Sequence, residues 1–228
     1  MSAAAVGSSW RVESVALDVA DAHAADLTGP GATRLVRVHR IERPALVLGS
    51  TQPDEHVDRD AAAAAGVDIV RRRSGGGAVL LVPGDVVWLD VVVPAGDVLW
   101  HDDVGRAFGW VGETWVRALA AVGVGGGEVH EGALRCTAWS SHVCFAGLGP
   151  GEVTVDGFKV VGISQRRTRH AARFQCAALL RWDVVGILRL LALPEDQRAD
   201  AELVLADAAR GLGVEHDRLV DAFLRALP

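Results

Sequence analysis

The stretch Val70-Arg71-Arg72-Arg73-Ser74-Gly75-Gly76-Gly77-Ala78-Val79 combines an arginine run with a glycine run. Three consecutive glycines between two β-type runs remove every Cβ from the connecting loop. Its backbone can therefore lie against a ligand and turn its amides toward an anion. The neighbouring arginines add charge suited to a phosphate or a carboxylate. No Gly-Lys-Ser/Thr follows, which excludes a P-loop, and the third glycine of a dinucleotide fingerprint is missing. We predict a small-molecule binding loop, with a flexible hairpin as the alternative.

The chain contains a single lysine, Lys159, and arginine supplies the other 22 of its 23 basic residues. Lysine presents a compact ammonium with three donors, whereas the guanidinium group is a wide planar fork. The lysine lies within Asp156-Gly157-Phe158-Lys159-Val160-Val161-Gly162. Its retention in a composition this rich in arginine indicates a site for one point charge between a phosphate and a carbonyl. The alternative is a surface lysine left by chance.

Four motifs occur together and in order between about residues 34 and 183. They are Arg43-Pro-Ala-Leu-Val-Leu-Gly-Ser-Thr-Gln52, the arginine–glycine stretch, Val143-Cys-Phe-Ala146 and Asp156-Gly-Phe-Lys-Val-Val-Gly-Ile-Ser-Gln-Arg-Arg167. Together they resemble the lipoate–protein ligase and octanoyltransferase family, which shares its catalytic domain with biotin protein ligases. The chain has Gln175-Cys176-Ala177 where many members have Gln-His-Gly.

The resemblance implies roles for individual residues. Arg72 would bind the substrate near its phosphate. The loop residues Ser74, Gly75, Gly76, Gly77 and Ala78 would lie along the acyl chain. Gly162 and Ser164 of the lysine segment would also contact the substrate. Lys159 would be catalytic, bridging the acyl carbonyl oxygen and the α-phosphate, where a fixed ammonium stabilises developing charge. Cys144 would be catalytic only in a transferase, as a thioester nucleophile.

The resemblance also implies a reaction and its partners. We expect a ligase that joins lipoate or octanoate to AMP, with ATP and Mg²⁺ as cofactors, and passes the acyl group to one lysine of a carrier. The carrier would be a lipoyl domain of a 2-oxoacid dehydrogenase or the glycine-cleavage H protein, and a separate accessory protein could assist. The alternatives are an ATP-independent octanoyl or lipoyl transferase and a non-catalytic member that binds an acyl-nucleotide.

Strand-type and helix-type runs follow each other without regular β-α-β alternation, which predicts an α/β (α+β) fold with a mixed, largely antiparallel sheet flanked by helices. We predict strands at residues 35–39, 45–48, 68–72, 78–82, 86–93, 134–139, 142–145, 152–155, 158–164 and 174–182, and helices at 12–26, 54–65 and 103–122. The turn Pro83-Gly84-Asp85 predicts a hairpin. Residues 1–183 would form the catalytic domain, with a loose tail at 1–9 and a core from about 30, and residues 184–228 a short segment of three helices.

Composition bounds the remaining possibilities. A net charge of −6 argues against a nucleic-acid binder, although arginines also cluster at 166, 167, 169 and 173, either as an anion pocket or as a solvated patch. Three cysteines without a disulfide spacing indicate a reducing, cytoplasmic location. The spacing Cys136, His142, Cys144 lacks a fourth ligand, so we predict no metal site. We also expect no membrane segment, since no apolar run is long enough.

Overall fold

A computed structural model of the chain describes residues 10–228, and its largest element is a seven-stranded sheet. The strands are β1 Arg11–Val15, β2 Leu35–His39, β3 Ala45–Leu48, β4 Asp68–Arg71, β5 Val79–Leu81, β6 Val86–Pro94, β7 Gly127–Val129, β8 Val153–Val155, β9 Phe158–Arg167 and β10 Ala171–Leu179. The large sheet has the order β1-β2-β6-β10-β9-β8-β7, and β4-β3-β5 form a three-stranded sheet beside it. The tail predicted at residues 1–9 lies outside the described residues.

Both sheets are mixed. In the large sheet only β1 and β2 run parallel, and every other neighbouring pair is antiparallel. In the small sheet β3 is parallel to β4 and antiparallel to β5. The predicted fold class, a mixed and largely antiparallel sheet flanked by helices, is confirmed.

Within residues 10–228, six α-helices surround the sheets. They are α1 Val19–Ala24, α2 Arg59–Ala64, α3 Gly109–Ala121, α4 Val184–Arg189, α5 Glu195–Ala208 and α6 His216–Ala226. On one face of the large sheet α3 packs against α6, with the Trp115 and Phe223 ring centroids 4.4 Å apart. The three helices predicted after Asp183 are thus present, and α6 contributes buried residues to the main core. Between residues 10 and 228 no helix combines the length and apolar character needed to cross a bilayer.

The segments that carry the sequence motifs lie where the two sheets meet. Val47 and Leu81 of the small sheet share one hydrophobic cluster with Trp88 of β6, Leu179 of β10 and Phe145. β9 and β10 form a long antiparallel pair that crosses this region. The two sheets therefore converge on the segments that carry the arginine–glycine and lysine motifs.

Several local predictions differ from the structure: one helix was wrong over its first half, and two helices are confirmed over shorter ranges than predicted. The helix predicted at 12–26 is β1 followed by the short α1, because residues 11–15 pair in parallel with β2. The helix predicted at 54–65 is a 3-10 turn at Asp54–His56 followed by α2, and the one at 103–122 starts only at Gly109 after a 3-10 turn. The Pro83–Asp85 turn forms, but it joins β5 and β6 of different sheets, so it closes no hairpin.

The two strands predicted at 134–139 and 142–145 do not form. This segment consists of turns and a 3-10 turn at Cys144–Ala146, tied to the rest of the protein by single bridges at Arg135–Leu148 and Ala78–Val143. Its apolar residues pack without forming a strand: Trp139 and Val143 lie in a hydrophobic cluster, and Leu134 and Phe145 line the cavity described below.

Candidate active site

A cavity of about 630 Å³ opens between the sheets, a size typical of small-molecule sites. Its walls are formed by the glycine loop, by residues 134–149, and by parts of β6, β9 and β10. Apolar side chains predominate, and the charged or titratable side chains other than cysteine are His23, Arg72, Glu152 and Lys159. The cavity therefore suits an apolar ligand that carries a small polar end.

Lys159 projects from β9 into the wall of this cavity and is 3% exposed. Its Nζ lies 2.6 Å from Oε2 of Glu152 and donates to the carbonyl oxygens of Gly147 (2.8 Å) and Cys144 (3.3 Å). The ammonium also lies 4.9 Å from the ring centroid of Phe145. All three donors of the ammonium are directed at the 144–152 segment, so the lysine is held at a defined point.

Glu152 was not identified from the sequence. Its Oε2 accepts a hydrogen bond from the backbone amide of Gly149 (2.6 Å), and its Oε1 accepts one from Ile163 (3.1 Å). These bonds and the Lys159 ammonium compensate the burial of the carboxylate. The sequence did carry a signal: Glu152 is the one acidic residue between Val143 and Val155, and an acidic residue in an apolar run needs a buried partner.

Gly162 provides the space that Lys159 occupies. A Cβ at this position would lie 3.3 Å from Cζ of Phe145, 3.5 Å from Cε of Lys159 and 3.6 Å from Oε1 of Glu152. Gly162 and Ser164 both line the cavity, as expected for ligand-binding residues. A side chain at position 162 would thus crowd Phe145, Lys159 and Glu152 together.

Arg72 lines the cavity, but most of its N–H groups form hydrogen bonds with the glycine loop. Its Nε donates to Oγ of Ser74, and its Nη atoms donate to the carbonyl oxygens of Val47, Gly75 and Gly77. A guanidinium group has five N–H donors, so one remains for a ligand. Arg72 therefore fixes the shape of the glycine loop. Because most of its donors are used in this way, only a limited part of the Arg72 charge faces the cavity.

The loop residues divide into two groups. Gly75 and Gly76 line the cavity, whereas Ser74, Gly77 and Ala78 lie behind it. A Cβ at Gly77 would lie 2.4 Å from the backbone nitrogen of Val143. The Ala78 amide donates to the His142 carbonyl, and the Cys144 amide donates to the Ala78 carbonyl. The glycine run thus brings the Cys144 segment against the loop.

All three cysteines line the cavity, which the sequence did not indicate. Cys144 is partly exposed, and its Sγ lies 3.5 Å from the position a Cβ would take on Gly76. Cys136 is exposed, on the loop that borders the cavity. Cys176 is fully buried, and burial raises the pKa of its thiol to about 12, so it stays protonated. Cys144 and Cys136 are therefore the thiols available for chemistry.

His142 does not serve Cys144 in this structure. Its ring stacks on His56 at a centroid distance of 4.0 Å, and its Nδ1 lies 3.2 Å from Oγ of Ser141. Burial, followed by the neighbouring His56 charge, lowers the pKa of His142. Among the described residues no group of three or more His, Cys, Asp or Glu side chains is arranged to hold a metal ion.

The second arginine cluster does not form one pocket. Arg173 is buried and binds both carboxylate oxygens of Asp90 at 2.8 and 2.7 Å. Arg167 lies 3.8 Å over the ring of Trp100, and Arg169 donates to His170. The cluster is divided between an internal ion pair and the surface because β9 and β10 turn these side chains to different sides.

The chain matches a known protein family along most of its length. The sequence profile of the lipoyl protein ligase A/B catalytic domain matches residues 14–207. Over 172 residues the chain is 31% identical to octanoyltransferase LipM of Kyrpidia tusciae, an alignment that covers 72% of this chain and 61% of that protein. The chain thus spans less than two thirds of the length of this relative.

Solved structures show the same fold. A bipartite lipoate protein ligase of Thermoplasma acidophilum, described together with its E2 lipoyl domain, has a TM-score of 0.71 at 20% identity, covering 95% of this chain and 81% of that one. A lipoate-protein ligase A bound with ATP has a TM-score of 0.62 at 20% identity, with coverages of 86% and 72%. At these identities the likeness concerns the fold alone.

Proposed function

The chain belongs to the lipoyl protein ligase A/B catalytic domain family, and from this premise we propose that it transfers an octanoyl or lipoyl group to a lysine of a lipoyl carrier domain, through a thioester on Cys144. One observation carries the proposal: Cys144 and Lys159 line the same, mostly apolar cavity, and the Lys159 ammonium donates to the carbonyl oxygen of Cys144. The apolar walls suit the acyl chain, and the thiol and the ammonium suit its carbonyl end.

The reaction would run in two steps. The Cys144 thiolate attacks the carbonyl carbon of a carrier-bound acyl thioester, and a new C–S bond forms as the C–S bond to the donor carrier breaks. The donor leaves as a thiol with the proton that Cys144 gave up. The ε-amine of the acceptor lysine then attacks the same carbonyl, forms an amide and returns its proton to Cys144. The ammonium of Lys159, held at the cavity wall, would exchange its long hydrogen bond to the Cys144 carbonyl oxygen (3.3 Å) for one to the oxyanion, and would stabilise that oxyanion in both steps.

The second candidate is the ATP-dependent ligase that the sequence by itself favoured. It is supported by the remaining N–H of Arg72 at the glycine loop and by the ammonium of Lys159, which could hold a carboxylate and an α-phosphate. We place it second because four of the five Arg72 donors already bind protein oxygens, which leaves a single N–H for a phosphate. Glu152 is the one carboxylate among the described cavity residues, so Mg²⁺ would enter with the phosphates of ATP rather than as a resident ion.

A single assay separates the two candidates. A lipoyl domain or an H protein is incubated with this protein and either octanoyl-carrier thioester or octanoate with ATP and Mg²⁺, with and without an accessory protein, and the acceptor is weighed by mass spectrometry. We expect acylation from the thioester and an octanoyl adduct on Cys144 in the intact enzyme. Cys144→Ser should abolish both, whereas the matched control Cys136→Ser, which also alters a cavity cysteine, should retain them.

Two results would contradict the proposed transferase. Acylation that requires ATP in the wild type and survives Cys144→Ser would support the ligase and leave Cys144 as a packing residue. Acylation in neither assay, with any carrier, would support a member of the family that only binds its ligand.

A further inference from the structure

A row of cross-strand neighbours runs across the large sheet beneath the cavity. Gly162 on β9 pairs with Ala177 on β10, Ala177 pairs with Trp88 on β6, and Trp88 pairs with His39 on β2. Side chains that are directly opposite each other project from the same face of a sheet. The row therefore presents two very small side chains followed by two large ones.

The end of the row with the smallest side chains, at Gly162, lies next to Lys159. A Cβ at Gly162 would lie 3.5 Å from Cε of Lys159. Gly162, Ala177 and Trp88 all line the cavity, whereas no residue of β2 does. The cavity lining thus extends from beside Lys159 over Ala177 on β10 to the indole of Trp88.

We call the part of the cavity between Gly162 and Trp88 the trough. Its length follows from the spacing of the strands. Neighbouring strands lie about 4.8 Å apart, so the two spacings from Gly162 to Trp88 cover about 10 Å. A straight chain with C–C bonds of about 1.5 Å advances about 1.3 Å per carbon, so roughly eight carbons cover this distance.

Trp88 is fixed in place. It is 3% exposed and stacks against the rings of His39 and His23, at centroid distances of 4.1 and 4.9 Å. Nε2 of His39 lies 2.6 Å from Oδ2 of Asp90, which is bound in turn by Arg173. This network is buried and holds the His39 ring in place, so the indole stacks on a ring that cannot readily move aside.

The network also fixes the neighbouring helix. The guanidinium of Arg173 donates to the carbonyl oxygens of Ala22 and Ala25, at the end of α1. α1 carries His23, which lines the cavity and stacks on Trp88. β2, β6, β10 and α1 are thus joined around one indole.

We propose that Trp88 is a specificity-determining residue that stops the acyl chain at about eight carbons, the number that fills the trough between Gly162 and Trp88. The proposal rests on the proposed function, because it assumes that the carbonyl end lies beside Lys159 and Cys144. It adds to that function an upper limit on straight-chain length and the side chain that sets it.

The test measures binding of straight-chain fatty acids from six to fourteen carbons to the whole protein, by titration calorimetry. We expect the affinity of the wild type to rise roughly fourfold for each buried methylene up to about eight carbons and then to fall. Trp88→Leu and the milder Trp88→Phe should move this maximum to longer chains. Ala177→Val, which fills the trough from the middle, should move it to shorter ones.

Trp115→Leu is the matched control, because Trp115 is equally buried but lies in the core outside the cavity lining. It should lower stability and leave the preferred chain length unchanged. If Trp88→Leu does not unfold cooperatively, Trp88→Phe and Ala177→Val still decide the question. A maximum that stays at the same chain length in the folded Trp88 and Ala177 variants would overturn the proposal, as would a wild type that binds all lengths alike.

The binding assay needs no carrier protein, so its result is separate from that of the transfer assay. A shifted maximum without acyl transfer would retain the role of Trp88 and refute the proposed enzymatic function. If all variants transfer the acyl group and the chain length of tightest binding does not shift, the enzymatic function is retained and the role of Trp88 is refuted.

Discussion

The carboxylate of Glu152 lies 2.6 Å from the ammonium of Lys159, and both side chains are buried. An unpaired charge in such a place is costly, and a pair with good geometry largely offsets that cost. Glu152 thereby holds the ammonium at the cavity wall beside Cys144, while the backbone amides of Gly149 and Ile163 hold Glu152. The chemistry of the site therefore depends on two residues rather than on the lysine alone.

Glu152→Gln should lower the free energy of unfolding by roughly 3 kcal/mol, because it leaves the Lys159 ammonium buried without its counter-charge. Lys159→Met alone should also destabilise, and the double variant should be more stable than the sum of the single effects predicts. Denaturant unfolding of all four proteins measures this coupling. Purely additive losses would show that the two side chains do not stabilise each other.

Lys159→Arg should reduce acyl transfer by roughly 100-fold or more, a loss typical of removing one oxyanion donor. The planar guanidinium cannot make the three bonds of Lys159 to Glu152, Gly147 and Cys144, and it must fit beside Phe145. Transfer rates together with thermal unfolding are the measurement. Wild-type activity in a normally folded arginine variant would exclude Lys159 from the mechanism.

Gly162→Ala and Gly77→Ala should fail in different ways. The added methyl at Gly162 meets movable side-chain atoms at 3.3 Å and beyond, so the variant should fold and lose substrate binding. At Gly77 the methyl meets backbone atoms of the 142–143 segment, the nearest at 2.4 Å, so folding itself should be impaired. Circular dichroism and octanoate binding distinguish the two outcomes; equal stability of both variants would contradict the structure.

The cysteines should differ in reactivity toward an alkylating reagent at pH 8. Cys176 should stay unmodified in the native protein because burial raises its pKa to about 12, and only the thiolate reacts. Cys136 and Cys144 should be modified, and a bound medium-chain acid should protect Cys144 more than Cys136, because Cys144 is only partly exposed whereas Cys136 is exposed. Peptide mapping by mass spectrometry reports each site. Rapid labelling of native Cys176 would show that the cavity opens further than the structure indicates.

His23 makes stability depend on pH. Burial, and then the nearby Arg173 charge, lower its pKa from 6.5 to about 4 in the folded protein. The unfolded chain therefore binds a proton that the folded one does not, so stability is highest above pH 6.5 and falls between pH 6.5 and 4. The loss is up to roughly 3 kcal/mol. His23→Gln should show a smaller decrease between pH 7.5 and 4.5 in denaturant unfolding, and an unchanged decrease would assign it to other groups.

The sequence by itself determined the fold class, most of the strands and the segments that form the site. β-branched runs separated by turn residues predict strands locally, and the four motifs identify the family on their residues alone. It also singled out Lys159 and Cys144, because a lone lysine and a Cys-Phe segment can be recognised without coordinates.

Tertiary structure decided what surrounds those residues. Trp88 and His23 carry no functional signal in the sequence, and together with Glu152 and Cys136 they become cavity residues only when α1, β6, β9, β10 and the 134–149 segment come together. Arg72 was predicted to face a phosphate, yet it binds mainly the carbonyls of its own loop and of β3. β1 was predicted as a helix because its partner strand, which supplies its hydrogen bonds, begins some 20 residues later. Local pattern fixes what a segment can form, whereas partners distant in sequence decide which buried charges are paired and which surfaces enclose a ligand.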